Sequence, residues 1–355
     1  MSKTTVAVIF GGCSSEHEVS LLSASSVIQN IPKDKYKVLC LGITKAGNWL
    51  LFNGDAAEIA SGAWEHHPNN HTAFLSPDRG VHGIVTETAN GFTTISVDVV
   101  FPVLHGKNGE DGTIQGLLQL SGIPFVGCDT LSSAVCMDKA TTNILLESAG
   151  IAQADFMWFY ACDYENIKQQ VKADIMEQLG GFPVFVKPAN AGSSVGVSKV
   201  KNETELDQAI TAAAKEDKKI LIEACIIGKE IECAVMGNDV PRVSAAGQIA
   251  PSAEFYDYQD KYKNGTSKVI IPAPLDHALA ANICSIAAKA YRALGCSGLS
   301  RVDFFVRDGD NAILLNEINT LPGFTSISMY PMLWEACGVN YSHLLHQIIQ
   351  YAFDR

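Results

Sequence analysis

The sequence predicts an α/β (α+β) protein that begins with an open parallel-sheet domain. Three observations predict this. From Thr5 to Gly127 short apolar strands end in polar, glycine-rich loops and lead into helices, which makes one α/β domain. From Cys128 the pattern changes, with a small-residue loop at 187–196 and a hairpin at 299–319. The chain has 355 residues, enough for two or three domains of about 100–200 residues each.

The first strand is Thr5 to Phe10, followed by Gly11-Gly12 and Ser14-Ser15-Glu16-His17-Glu18. Ser15 with Glu18 three positions on reads as a capping box, opening a helix through about Ile28. Strand, glycine turn and helix N-terminus make an anion-binding corner of an open sheet. A carboxylate there, Glu16, can bind a substrate ammonium or serve locally. The G-x-G-x-x-G fingerprint is absent, which disfavours a dehydrogenase. Tyr36 to Ile43 is a second strand. Residues 45–95 are irregular and read as a surface excursion of hairpins and loops, with His66 and His67 exposed. Val97 to Leu104 is a buried strand ending in the polar loop His105–Gly112, where ligands of open sheets bind. Asp111 can cap the helix Thr113–Leu120.

A helix from near Ser132 carries Asp138-Lys139, and Tyr164–Leu179 is amphipathic and helical. Phe182 to Lys187 is a strand whose following loop, through Ser193, Ser194 and Gly196, can offer N–H groups and hydroxyls to phosphate oxygens beside Lys187. A plain glycine-rich hairpin is the alternative. Thr204–Lys215 is a helix and Lys219–Ala224 a strand. Glu223 ends that strand and Glu230 opens the next, with an apolar wall including Cys225 and Ile226 between them, which could hold an adenine and a ribose. Phe255–Gly265 reads as a long lid loop, and Leu275–Leu294 as a helix.

In the hairpin, Arg301–Val306 alternates polar and apolar residues, Asp308–Asn311 turns, and Ala312–Asn319 returns. Asp303 then lies opposite or diagonal to Glu317, which shares a face with Asn319. Such oxygen donors suit a hard cation completed by water and phosphate, with Arg301 alongside. A solvated edge is the alternative. It explains poorly why Glu317 and Asn319 follow Ala-Ile-Leu-Leu. Pro322–Met329 is a loop, and Leu333–Phe353 is largely helical.

Composition narrows the function. Hydrophobic residues make up 47 %, so a sizeable core is expected. The net charge of −12 argues against nucleic acid as a partner, though not against nucleotides. No signal peptide and no apolar run of about 18 residues are seen, so no membrane association is expected. Ten cysteines without a C-x-x-C pair read as reduced thiols of a cytosolic protein.

Seven separated segments together resemble the D-alanine–D-alanine ligases of the ATP-grasp superfamily. They are GGCSSEHEVSLLSA, FPVLHGKNGEDGTIQGLLQLSGIPFVG, MDK, FVKPANAGSSVGVSKV, FYDYQDKY, LSRVDFF and LNEINTLPGFTSISMYP. The resemblance implies a three-domain ATP-grasp fold, here divided at 1–127, 128–222 and 223–355. It implies two Mg²⁺ or Mn²⁺ ions held by Asp303, Glu317 and Asn319. Lys139, Lys187 and Lys261 match phosphate-binding lysines. Ser194, Glu223, Cys225, Ile226 and Glu230 belong to the ATP site. Glu16 matches the group that binds the first D-alanine's ammonium, joined by Ser193 and Tyr262 in closing the lid. Arg301 and the Gly323 N–H match the oxyanion site, and Ser328 and Met329 the second substrate's site. A cytoplasmic homodimer joined through the N-terminal domain is implied, supplying peptidoglycan precursors.

Relatives making D-alanyl-D-lactate or D-alanyl-D-serine carry arginine in a serine-arginine-tyrosine-proline context, and the lactate makers a lid histidine. This chain reads Ser328-Met329-Tyr330-Pro331, with Asp-Lys-Tyr in the lid. Apolar Met329 favours a methyl side chain over a hydroxyl. Parts of 96–139 also look similar to the D-serine relatives, so D-alanine–D-serine ligase stays as an alternative. A non-catalytic ATP-binding regulator on the same fold is the alternative from another class.

Overall fold

The apolar run Thr4–Gly11 forms β1 and becomes fully buried from Val6 onward, because neighbours cover both of its faces. The computed structural model describes residues 3–192, 195–250, 268–325 and 327–355. After β1 come α1 (His17–Asn30), β2 (Tyr36–Ile43), β3 (Trp49–Phe52), α2 (Ala56–Ser61), β4 (His71–Leu75), β5 (Gly83–Thr88), β6 (Gly91–Ser96), β7 (Val99–Leu104) and α3 (Thr113–Ser121). These seven strands form one sheet in the order β6-β5-β4-β3-β2-β1-β7. It is parallel across β2, β1 and β7, as expected, and antiparallel from β2 outward.

Next come α4 (Thr130–Met137), α5 (Lys139–Ser148), β8 (Phe156–Tyr160), α6 (Tyr164–Glu177), β9 (Val184–Pro188), β10 (Ser198–Val200), α7 (Leu206–Ala213) and β11 (Lys219–Ala224). Their strands make a four-stranded sheet, β10-β9-β11-β8. The chain continues with β12 (Gly228–Gly237), β13 (Arg242–Val243), β14 (Gly247–Ala250), β15 (Lys268–Ile270), α8 (His277–Ala293), β16 (Gly298–Arg307), β17 (Ile313–Asn319), α9 (Met329–Ala336) and α10 (Tyr341–Phe353). The third sheet runs β15-β14-β12-β16-β17, with β13 on β12. One core joins the first and third sheets through Val8, Phe101, Met236, Phe324 and Tyr330. Phe101 meets Phe324 edge-on at 5.9 Å.

Two local expectations need correction. The Ser15–Glu18 capping box does not form. Helix α1 starts at His17 with Glu16 at the N-cap and no side-chain cap. The 11–15 turn uses Ser14 instead, whose Oγ accepts from the Glu16 N–H at 3.1 Å. Glu18 turns outward to pair with Lys45. The single helix through Asp138-Lys139 is two helices, because the Asp138 side chain accepts from the Thr141 N–H and starts α5 afresh. The 45–95 excursion forms hairpins as expected, and their strands extend the first sheet by antiparallel pairing. Short strands with exposed faces, such as β6, show little periodicity for sequence reading to find. Asp111 does cap as expected, accepting from the Thr113 N–H, although Gly112 takes the N-cap position.

The excursion is pinned by Trp64, which is fully buried. Its ring sits 4.9 Å from Phe10 and 6.5 Å from Phe52, both edge-on. Gly42 makes the room, since a Cβ there would run into the indole. All ten cysteines are free. Among the described residues no helix is long and apolar enough to cross a membrane.

Trp64→Ala should therefore lower the urea midpoint by the equivalent of about 3–5 kcal/mol. Circular dichroism through a urea titration measures this, and an unchanged midpoint would show that Trp64 does not hold the excursion.

Candidate active site

Loops and strand ends from all three sheets enclose a cavity of about 650 Å³. Its carboxylates come from strand register. Glu232 on β12 pairs with Asp303 on β16, and Asp303 pairs with Glu317 on β17. Three carboxylates thus lie in one row across three strands, all lining the cavity. Like charges in register repel unless cations intervene. Arg301 is one such cation. Its guanidinium donates to both Asp303 oxygens, at 2.7 and 2.6 Å, and lies 3.0 Å from Glu232 Oε2. Burial works against its charge, but Asp303 and Glu232 outweigh that and hold its pKa well above the ordinary arginine value. Lys139, at the start of α5, supplies another, with Nζ 3.5 Å from Glu317 Oε2 and 3.0 Å from the Ala191 carbonyl.

Asn319 lies opposite Arg301 in the hairpin. Its Oδ1 accepts from the Leu321 N–H at 3.1 Å, and a carbonyl oxygen keeps a second lone pair. Among the described residues no group of three or more His, Cys, Asp or Glu side chains is arranged to hold a metal. Asp303, Glu317 and Asn319 instead offer two carboxylates and an amide oxygen. That donor set fits a hard divalent ion that completes its shell with water and phosphate oxygens.

A second charged pair spans the antiparallel strands β9 and β11, where Lys187 stands opposite Leu221 and Glu223 opposite Phe185. Lys187 Nζ is 2.5 Å from Glu223 Oε2, and Asn143 donates to Glu223 Oε1 at 3.1 Å. Burial opposes the Lys187 charge, yet Glu223, with Glu317 and Glu230 behind it, holds its pKa above the ordinary lysine value. The resemblance implies separate places for Glu223 at the base and Lys187 at phosphate, and here the two also face each other. Cys225, Ile226 and Glu230 continue the same wall.

The N-terminal corner closes the other end. Glu16 is buried, and a Cβ on Gly192 would run into its Oε1 while one on Gly106 would crowd it. Both loops therefore need glycine to approach this carboxylate. Beside it, His105 Nδ1 is 3.6 Å from Glu110 Oε1, and Nε2 is 3.1 Å from Ser23 Oγ. Burial disfavours the imidazolium, but Glu110 more than offsets it, and Glu16 adds to it, so the His105 pKa is raised. Ser23 Oγ also accepts from the Phe324 N–H at 3.4 Å, tying this corner to the loop that carries Gly323. Ser328 Oγ accepts from the Thr325 N–H at 3.0 Å, and Met329 is buried at the start of α9.

Every expected site residue within the described residues lines this cavity: Glu16, Lys139, Lys187, Glu223, Cys225, Ile226, Glu230, Arg301, Asp303, Glu317, Asn319, Gly323, Ser328 and Met329. Ser193, Ser194, Lys261 and Tyr262 lie outside the described residues, as does the lid at 255–265. His105, Glu110 and Glu232 join the lining, and Asn143 bonds to it, without having been singled out from the sequence. The spacing Glu230-Ile-Glu232 is a same-face signal on a strand, and His105 opens the loop already marked as a ligand site.

Family models described as the D-ala D-ala ligase N-terminus and C-terminus match residues 5–128 and 145–350. The chain belongs to the D-alanine–D-alanine ligase family. It is 50 % identical to the D-alanine–D-alanine ligase of Ruminiclostridium cellulolyticum, over 100 % of this chain and 96 % of that one. The enzyme of the same name from Thermoanaerobacter pseudethanolicus is also 50 % identical, over 100 % and 98 %. Among solved structures, the VanG D-Ala:D-Ser ligase from Enterococcus faecalis superposes with a TM-score of 0.90 at 41 % identity, covering 99 % of this chain and 100 % of that one. The D-alanine-D-alanine ligase from Coxiella burnetii superposes with a TM-score of 0.86 at 33 % identity, covering 100 % and 95 %. The fold is the mixed α/β ATP-grasp fold of these ligases.

In this member of the family the His105–Glu110 pair makes a measurable claim. The charged form adds stability that is complete below about 6.5 and is lost as pH rises through the raised folded value. In Glu110→Gln the His105 ring should titrate at lower pH than in the wild type, read from its Cε1–H NMR signal. An unmoved titration would show that Glu110 does not set the charge.

Proposed function

We propose that this enzyme joins two D-alanines into D-alanyl-D-alanine at the expense of ATP, through an acyl phosphate, for peptidoglycan precursor synthesis. The observation that carries this reading is the convergence of the carboxylate row, Arg301, Lys139 and Lys187 on one cavity. A carboxylate is a poor electrophile, and phosphoryl transfer to it needs charge neutralisation more than covalent groups.

In the first step an oxygen of the first D-alanine's carboxylate attacks the γ-phosphorus of ATP, and ADP leaves. Glu16 binds that substrate's ammonium. Lys139 and Lys187 hold phosphate oxygens, joined by Lys261 from the lid. Glu223, Cys225 and Ile226 line the base, Glu230 takes the ribose, and Ser194 completes the phosphate loop. Asp303, Glu317 and Asn319 would hold two Mg²⁺ or Mn²⁺ ions. When bound, these ions neutralise charge on the transferring phosphoryl group. In the second step the neutral amine of the second D-alanine attacks the acyl carbon, with its carboxylate at Ser328. Arg301 and the Gly323 N–H stabilise the oxyanion, phosphate leaves, and the amine gives up its proton. Ser193 and Tyr262 hold the lid closed against water, which would otherwise hydrolyse the acyl phosphate. We assign the domains as 1–127, 128–222 and 223–355, and the working form as a cytoplasmic homodimer joined through the first domain.

D-serine as second substrate is the competing reading, favoured by the likeness to the VanG D-Ala:D-Ser ligase. Met329 argues against it, because an apolar side chain gives an added hydroxyl no partner. The test mixes D-alanine and D-serine with ATP and Mg²⁺ and weighs the dipeptides by mass spectrometry. D-alanyl-D-alanine should predominate at equal concentrations. Predominant D-alanyl-D-serine would replace this reading with its competitor, and nucleotide binding without either product would point to a regulator.

A further inference from the structure

We propose that His17 is a positioning residue that sets the aim of Glu16; this rests on the reading of Glu16 as the group that binds the first D-alanine's ammonium. The turn between β1 and α1 passes through two left-handed glycines, Gly11 at φ +88° and Gly12 at φ +99°. A turn of this kind holds its shape only if its free backbone groups are bonded. Two α1 side chains three positions apart, and so on one helix face, do this. Ser20 Oγ accepts from the Gly11 N–H at 2.8 Å and donates to the Val103 carbonyl on β7. His17 Nδ1 lies 2.8 Å from the Gly12 carbonyl oxygen. A carbonyl only accepts, so Nδ1 carries the proton. Nε2 then faces Glu65 Oε1, 3.8 Å away, in the short helical turn Ala63–His66 of the 45–95 excursion.

The His17 ring is buried and packs over Gly11, whose Cβ would crowd its Cε1. Glu16 sits between the two clamped points and the helix. Its N–H is held by Ser14 Oγ, and its carbonyl accepts from the Ser20 N–H at 3.1 Å. Its carboxylate threads between Gly106 and Gly192, where a small rotation of the turn would drive it into either loop. Releasing the Gly12 carbonyl would therefore cost Glu16 its aim without touching the nucleotide wall. The excursion thereby gains a task, since its Glu65 faces Nε2 of the imidazole.

The test compares His17→Asn, His17→Gln, His17→Leu and Glu16→Gln in the full-length enzyme. Michaelis constants for D-alanine and for ATP, and kcat, are measured beside the melting temperature. An asparagine amide can place its N–H near the Nδ1 position, whereas glutamine reaches toward Nε2 and leucine donates nothing. His17→Gln and His17→Leu should raise the D-alanine KM about tenfold or more with the ATP KM near wild type, and His17→Asn should restore most of it. A purely structural histidine would instead give the three variants the same D-alanine KM whatever their melting temperatures, and that result overturns the inference. A raised D-alanine KM in Glu16→Gln with none in His17→Leu overturns it alone. An unchanged D-alanine KM in Glu16→Gln overturns the reading of Glu16 and this inference with it.

Discussion

Three carboxylates in register across β12, β16 and β17 are the constraint that the rest of the site answers. Glu232, Asp303 and Glu317 stand side by side on one face of a sheet, the first two buried and Glu317 half-buried. Their mutual repulsion is offset within the third sheet by Arg301, which grips Asp303 with two hydrogen bonds and reaches Glu232. Lys139 brings the next positive charge from α5, outside that sheet. A site that draws in cations this way is prepared for a polyanionic nucleotide accompanied by metal ions. The charge pattern needed for phosphoryl transfer is thus a consequence of strand pairing.

The second demand is close approach. The Glu16 carboxylate has to meet loops that follow β7 and β9, in two different sheets. Gly106 and Gly192 allow it because neither places a Cβ where the carboxylate lies. Ser23 extends the same corner toward the loop that carries Gly323 by bonding both His105 and the Phe324 N–H. The wall from Glu223 to Glu230, the Glu16 corner and the Gly323 loop therefore share one continuous lining. Helices α9 and α10 hold the last of these loops by packing Tyr330, Leu344 and Ile348 into the core that unites the first and third sheets.

Legibility in the sequence followed how local each determinant is. The hairpin was readable because its alternation, turn residues and carboxylate spacing lie within twenty residues or so, and period two places Asp303 against Glu317. Strands β2 and β11 were read to their ends for the same reason. The Ser15–Glu18 cap failed because its competitors are tertiary: Lys45 takes Glu18, and the glycine turn takes the residues before it. Asp138 was read inside a helix because a capping aspartate and a helical one look alike without the Thr141 N–H in view. In the 45–95 excursion hairpins were expected, but the bounds of β3 to β6 were not legible because short, half-exposed segments carry little period. Glu232 became visible as a site residue only through its pairing with Asp303, seventy-one positions further along. The roles of individual residues came from family resemblance, since charge and spacing alone left several readings open.

The central claim is that this cavity moves the γ-phosphoryl group of ATP onto the carboxylate of the first D-alanine. D-alanine labelled with ¹⁸O in both carboxylate oxygens tests it most directly, with wild-type enzyme, ATP and Mg²⁺. Attack of that carboxylate on phosphorus, followed by loss of phosphate from the acyl carbon, carries one carboxylate oxygen into each phosphate released. The account predicts inorganic phosphate bearing one ¹⁸O for each dipeptide formed. Dipeptide formed alongside unlabelled phosphate would contradict it.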